Sequence, residues 1–259
     1  MILRSFAFGL LLVLLSSSTI AAEAGASPLS ASEIAARISA KNNGTSYIRV
    51  RMEGGEKGVL QLQIKSRSTN AATDLVYQVL FPKERKGEAV LLHKSGSRMS
   101  GTLFTPPDRV RTLEDLSDPL LGSDLSYEDV IDDVYAWDQQ AIVGTEVIDN
   151  INCQILESKP GKGARSSYAS VRSWIDPRRF VPLRIEKYGN GGKLVRRISV
   201  TRILLDGRDS IPANLSIRGP RGSVTELDGS RIKRGVTFSD AEFSPAGLKE
   251  LKAPRGTAD

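Results

Sequence analysis

One cysteine and one histidine occur in 259 residues, and each scarcity removes a class of chemistry. With Cys153 alone, no intramolecular disulfide can form even in an oxidising compartment, and no Cys-x-x-Cys motif exists. Its setting in the strand-like INCQILES reads as a small buried apolar side chain. With His93 alone, a histidine-rich metal site is impossible, and a Ser-His-Asp hydrolase would have to use that ring. No Gly-x-Ser-x-Gly surrounds any serine, and GKGA at Gly161 lacks the spacing and the Ser or Thr of a phosphate-binding loop. Asp132 and Asp133 are adjacent rather than convergent, which suits a solvated helix end, while a carboxylate pair drawn from distant strands stays open. No catalytic residue, cofactor or metal is assigned, and the chain reads as a non-enzyme.

A long hydrophobic run is also missing. The apolar stretch Phe6 to Leu15 is half of the ~20 residues a membrane-spanning helix needs. Arg4 precedes it, and small residues Ser16 to Ser18 and the cleavage-like Ala22-Glu23-Ala24 follow, so residues 1–24 are expected to be a secretory signal peptide. No cysteine near that point could take a lipid anchor, and the expected product is a soluble protein of a bacterial periplasm. Lys and Arg number 36 against 30 Asp and Glu, a net charge of +6. Such a surface favours anionic partners; export directs the expectation to lipid head groups or lipopolysaccharide and away from nucleic acid. The 40% hydrophobic and 25% charged composition is ordinary for a globular protein. No linker interrupts residues 32–251, expected to form a single domain, and the tail 252–259 is expected to be disordered.

What the sequence has in abundance is alternation. In GVLQLQIKS, Leu60, Leu62 and Ile64 point one way and Gln61, Gln63 and Lys65 the other, as in a strand with one wet face. The same period appears at Tyr47 to Met52, Leu75 to Phe81, Tyr168 to Ile175 and Val181 to Tyr188. Turn signals separate such segments at Gly54-Gly55, Ser95-Gly96, Asp149-Asn150, Gly189 to Gly192, Asp206-Gly207 and Asp228-Gly229. About ten or eleven strands at hairpin spacing, with no βαβ alternation, predict a mainly β chain with a curved antiparallel sheet. Helical spacing is confined to short pieces. SASEIAARISAKNN is expected to be capped by Ser32; Leu113, Leu116, Leu120 and Leu121 share a face across Pro119; a last helix is expected from Ser244-Pro245 to Leu251.

The most specific stretch is GSDLSYEDV, Gly122 to Val130. Ser126 followed by Asp129 fits a helix cap, with the helix running to about Asp133. It follows Pro106-Pro107 and LEDLSDPLL, and precedes NCQILESKP, SWIDPRRFVPLRIEKYGNGGKLVRR and FSDAEF. In that order these segments resemble the LolA-like outer-membrane lipoprotein-sorting proteins over roughly residues 32–251. Ile175, Asp176, Pro182, Ile185, Glu186 and Tyr188 match the family pattern, whereas Phe104 stands where the family usually carries Trp or Tyr.

Alternation leaves open whether the sheet closes on its own side chains or leaves a pocket under helices. The resemblance implies the second, an incomplete β-barrel with short helices as a lid, holding acyl chains. It makes Leu60, Leu62, Ile64, Val79, Phe81 and Phe104 candidate cavity walls and Leu116, Leu120 and Leu121 the lid. Arg172, Arg184, Lys187, Lys193, Arg196 and Arg197 form a candidate contact surface for anionic lipid or an acidic partner, or simply a solvated sheet face. The implied function is a monomeric carrier of lipid or lipoprotein acyl chains from inner to outer membrane, with an inner-membrane transporter as donor. A non-catalytic envelope sensor of the same fold, and a hydrolase using His93, are the alternatives.

Overall fold

The computed structural model describes residues 29–54, 58–207, 209–251 and 253. The expected signal segment 1–24 and, except for Ala253, the expected tail 252–259 lie outside the described residues. Six strands come first, β1 (Gly44–Gly54), β2 (Val59–Ser68), β3 (Ala72–Phe81), β4 (Ala89–Ser95), β5 (Arg98–Thr105) and β6 (Arg109–Thr112), of which β1 to β3 contain the alternating segments. Seven more follow a linking segment: β7 (Gln139–Ile148), β8 (Ile151–Lys159), β9 (Ser170–Asp176), β10 (Val181–Tyr188), β11 (Leu194–Asp206), β12 (Asp209–Arg218) and β13 (Val224–Arg234). All thirteen belong to one sheet, ordered β6-β5-β4-β3-β2-β1-β13-β12-β11-β10-β9-β8-β7. Two antiparallel meanders are thus joined where β1 meets β13, with Ile48 opposite Ile232 and Met52 opposite Leu227. The edges β6 and β7 do not pair, so the barrel is incomplete.

Thirteen strands exceed the ten or eleven expected. Both edge strands lack a buried face: all four residues of β6 are exposed, and β7 is exposed from Ala141 to Val147. Neither can show the alternation that marks a half-buried strand. Asp149-Asn150 does make the expected tight turn, with φ of 48° and 63°, the backbone of a type I′ hairpin. Asp228-Gly229, by contrast, lies inside β13 at a register shift opposite Arg49 and Val50. A Cβ on Gly229 would meet the Ala213 carbonyl oxygen at 2.8 Å, so the glycine serves a close strand approach rather than a turn.

The inner face of the sheet carries Met52, Leu60, Leu62, Leu75, Tyr77, Val79, Val90, Leu92, Ile198 and Ile217. Against it pack Leu113, Leu120, Leu121, Leu125, Tyr127 and Ile131 of the segment that crosses from β6 to β7. The outer face is covered over β3 to β5 by the C-terminal segment, where Leu248 and Phe243 sit on Val76, Ala89, Leu91 and Phe104. Buried polar groups there are satisfied in series. The Tyr47 hydroxyl donates to Gln63 Oε1 (3.1 Å), Gln63 Nε2 to Gln78 Oε1 (2.9 Å), and Gln78 Nε2 to the Leu248 carbonyl (3.0 Å). The helix expected from Ser244 to Leu251 is replaced by a single 3₁₀ turn, Gly247–Lys249, which follows another at Asp240–Phe243.

Helix α1 (Ala31–Lys41) is capped by Ser30, not Ser32: Glu33 N donates to Ser30 Oγ (3.3 Å) and Ser30 N to Glu33 Oε2 (2.8 Å). Its apolar stripe, Ile34, Ala35 and Ile38, packs on Leu156 and Ile175 of the inner face. Helix α2 (Tyr127–Ile131) starts at Ser126 as expected and ends sooner, before a 3₁₀ turn at Val134–Ala136. Upstream, the four leucines share no helix. Only Leu120–Gly122 makes a helical turn, a 3₁₀ one, while Leu113 lies against Gly101, where a Cβ would sit 2.6 Å from Leu113 Cδ2.

Candidate functional site

Between the inner face, the C-terminal end of α1 and the 129–138 stretch lies a cavity of about 950 Å³. Its sheet-side wall includes Ile48, Ile64, Leu75, Tyr77, Ile185 and Ile198, and Ile38, Val130 and Ile131 face it from the helices. Ser46, Ser66, Ser68 and Thr73 continue the same wall with hydroxyls. A volume at the upper end of the range for small-molecule sites, walled by aliphatic side chains, is suited to a flexible apolar ligand.

Of the residues expected to form this wall, Ile64 alone lines it. Leu60, Leu62 and Val79 do point to the inner face and do meet Leu120 and Leu121, with Leu116 packed alongside, but together they make a filled core at the other end of the barrel. Leu60 and Val79 are 0% exposed. Phe104 faces the opposite way, into the cluster under Leu248, because it stands opposite Ala89, whose side chain points outward. Phe81 is 50% exposed beyond a register shift between Gln61 and Leu62. The inner face is therefore divided along the strands: the segment containing GSDLSYEDV plugs one half, and the other stays open. The open half uses Ile48, Ile64 and Leu75, one or two alternate positions along the same strands from Met52, Leu62 and Val79, so nothing in the local pattern separates wall from core.

The basic group is divided by strand alternation. Arg172 pairs with Glu157 (2.9 Å), Arg184 with Glu146 (3.0 Å) and Arg197 with Glu186 (2.7 Å), and Lys193 is exposed after the Gly191-Gly192 turn. Arg184 also lies 4.8 Å over the Trp174 ring. Lys187 and Arg196, directly opposite each other on β10 and β11, turn inward and are buried. Both bind Asp129: Lys187 Nζ is 2.8 Å from Asp129 Oδ1, and Arg196 donates to Oδ2. The Tyr168 hydroxyl donates to Asp129 Oδ1 (2.8 Å), and its ring lies 4.9 Å from the Lys187 ammonium. Burial pushes the Asp129 carboxyl up, but the two cations outweigh it and hold the group below the usual carboxylate range. Asp129 and Lys187 form part of the cavity lining.

The spacing within GSDLSYEDV points only to a helix cap, yet its three acids tie distant parts of the chain together. Asp124 accepts from Thr225 Oγ1 (2.8 Å) and from Ser223, beside Gly219, where a Cβ would lie 2.2 Å from Asp124 Oδ1. Glu128 accepts from Ser166 Oγ (2.5 Å) and Ser167 N (3.1 Å), and Asp129 holds β10 and β11. At the mouth, Asp132 binds Lys94 and the Trp137 indole N–H, and Asp133 accepts from Ser39 of α1. Acidic residues at one- and three-residue spacing after a helix cap were the only available signal.

His93 is half exposed on the outer face, with Nδ1 2.6 Å from Asp74 Oδ1, on the side of the sheet away from the cavity. Cys153 is buried against Trp174, Val181 and Leu183. Among the described residues, no group of three or more His, Cys, Asp or Glu could hold a metal ion, and no helix is long and apolar enough to cross a membrane.

A family model described as "Uncharacterized protein" matches residues 72–250. No curated protein matches the chain. Among solved structures, a DUF1329 family protein from Desulfovibrio piger is similar at 22% identity and a TM-score of 0.77, over 84% of this chain and 97% of that one. A domain described as an outer membrane lipoprotein-sorting protein, from Vibrio parahaemolyticus, is similar at 20% identity and 0.76, over 85% and 98%. A LolA superfamily protein from Nitrosomonas europaea follows at 18% and 0.66, over 84% and 98%. At these identities the likeness is one of fold: the open antiparallel barrel with a helical cover is the LolA-like fold.

Proposed function

Because the chain belongs to that family of uncharacterized proteins and has the LolA-like fold, we infer that it is a carrier that encloses the acyl chains of a lipid or lipoprotein. The observation that supports this most is the half-empty inner face. A sheet built only to be stable would fill both halves, since interiors pack to crystal-like density; here about 950 Å³ stays open beside aliphatic walls. Each methylene transferred into it contributes about 0.8 kcal/mol, so one enclosed chain supplies useful affinity without any covalent step. The carrier works in the periplasm after loss of residues 1–24, receives its load from an inner-membrane transporter, delivers it to the outer membrane, and acts as a monomer. Arg172, Arg184, Lys193 and Arg197 then form an outward basic surface towards anionic membrane lipid, although three of these four are already paired with glutamates.

Native mass spectrometry of the protein isolated from a bacterial periplasm tests this reading. Adducts of lipid or lipopeptide mass, lost after extraction with organic solvent, are expected. A bare polypeptide mass under gentle conditions, with no uptake of added fatty acid, would overturn it.

A further inference from the structure

The two edges of the open sheet are built differently. β6 has four residues, two of them Arg109 and Arg111, and follows Pro106-Pro107. Short length, charge and proline are the devices that keep an edge from pairing with another chain. β7 has ten residues, contains no Lys, Arg or Pro, and is hydrogen-bonded on one side only, to β8. Its exposed large apolar side chains are Ile142, Val143 and Val147, the last 64% exposed. From Asp138 to Asp149 the stretch carries three acids, Asp138, Glu146 and Asp149, and no base; Glu146 is engaged by Arg184 and the Trp174 indole. The position of this edge matters as much as its composition. Trp137 and Asp138 line the cavity, and β7 starts at the next residue, whereas no residue of β6 lines it.

We propose that the outer edge of β7 binds an extended polypeptide segment of the cargo as a fourteenth strand, the cargo being an acylated protein with uncharged or basic residues next to its lipid. The proposal rests on the carrier reading above and narrows it from lipid in general to lipid attached to a polypeptide. A chain leaving the cavity beside Trp137 passes α1, which lies against β7, and meets the ladder where the strand is exposed from Ala141 to Val147. There main-chain hydrogen bonds supply affinity and side chains meet Ile142, Val143 and Val147. Charge argues against a second copy of this chain in the same place. Two β7 strands paired antiparallel about Val143 and Gly144 would bring Asp138 of each against Asp149 of the other, with no base on either strand to offset them.

The test compares binding of palmitic acid with that of an N-palmitoyl decapeptide rich in Thr, Val and Lys. It uses wild type, a Thr145→Lys plus Val147→Lys variant, and Val143→Pro. Val143 sits at the register shift between Ile142 and Gly144, so proline there removes no regular pair with β8. The expected result is that wild type binds the lipopeptide about tenfold more tightly than palmitic acid, that both variants lose this advantage, and that both keep their affinity for palmitic acid and their melting temperature. Equal affinity of wild type for the two ligands overturns the proposal and leaves the carrier reading standing, as does an advantage that survives in both variants. Failure to bind either ligand overturns the carrier reading and the proposal with it. A wild-type mass of twice the chain that returns to one chain in the double-lysine variant also overturns it, since the edge would then belong to a second copy.

Discussion

The Asp129 carboxylate lies 2.8 Å from the Lys187 ammonium with their side chains 0% and 4% exposed, and Arg196 binds the same carboxylate from the opposing strand. Three charges in one buried site are tolerable only because each satisfies another, and Tyr168 and the Ser126 N–H complete the acceptor side. Asp129→Asn keeps the shape and leaves two cations without an anion. It is expected to lower the unfolding free energy by about 3–5 kcal/mol in urea titrations. Arg172→Ala, which breaks an exposed pair with Glu157, is expected to change it by less than about 1 kcal/mol.

The same network sets an acid limit. Asp129 titrates below its ordinary value in the folded protein, so the folded state binds fewer protons there than the unfolded chain. Its contribution is complete above the unfolded value of about 3.9 and is lost as pH falls through the lower, folded value. Stability measured between pH 5 and 2 is therefore expected to fall less steeply in Asp129→Asn than in wild type. Parallel curves would mean that Asp129 titrates alike in both states.

Cys153 is 0% exposed, and burial, with Asp176 nearby, pushes its thiol above the ordinary value. The native protein should therefore react with a disulfide reagent only as fast as it unfolds. Cys153→Ser should cost about 1–3 kcal/mol for the unsatisfied hydroxyl, and Cys153→Ala less.

The fold was legible where polar and apolar residues alternate, as in β2, whose Leu60, Leu62 and Ile64 all face inward. The opposite face, expected to be wet, is exposed at Gln61 but buried at Gln63 and Lys65 under the C-terminal segment. β7 stayed hidden because both its faces are exposed, and the expected helix across Leu113 to Leu121 failed because tertiary packing against Gly101 holds Leu113 extended. The site was legible only in outline. Sequence alternation places Leu62 and Ile64 on one face but cannot tell that a plug from another part of the chain covers the first and not the second. The basic residues of β10 and β11 separate into inward Lys187 and Arg196 and outward Arg184 and Arg197 by simple strand alternation, Lys187 standing opposite Arg196 and Glu186 opposite Arg197. Grouping them as one surface overlooks that alternation.

Core and cavity should therefore respond differently to truncation. Leu120, 2% exposed in the filled half, is expected to cost about 2–5 kcal/mol as Leu120→Ala, because a void is left. Ile185 faces the open half, and Ile185→Ala should fall clearly below that range in the same thermal or urea melts.

The central claim is that the open half of the barrel holds an acyl chain, and the direct test is to fill it. Ile64→Trp and Ile185→Trp add bulk from two sides of the cavity wall, and a titration with dansyl-undecanoic acid reads the remaining space. Loss of affinity by about tenfold or more in the double variant, with the melting temperature held, is the expected result. Unchanged affinity in a folded double variant would contradict the account, because the chain would then be bound somewhere other than this cavity.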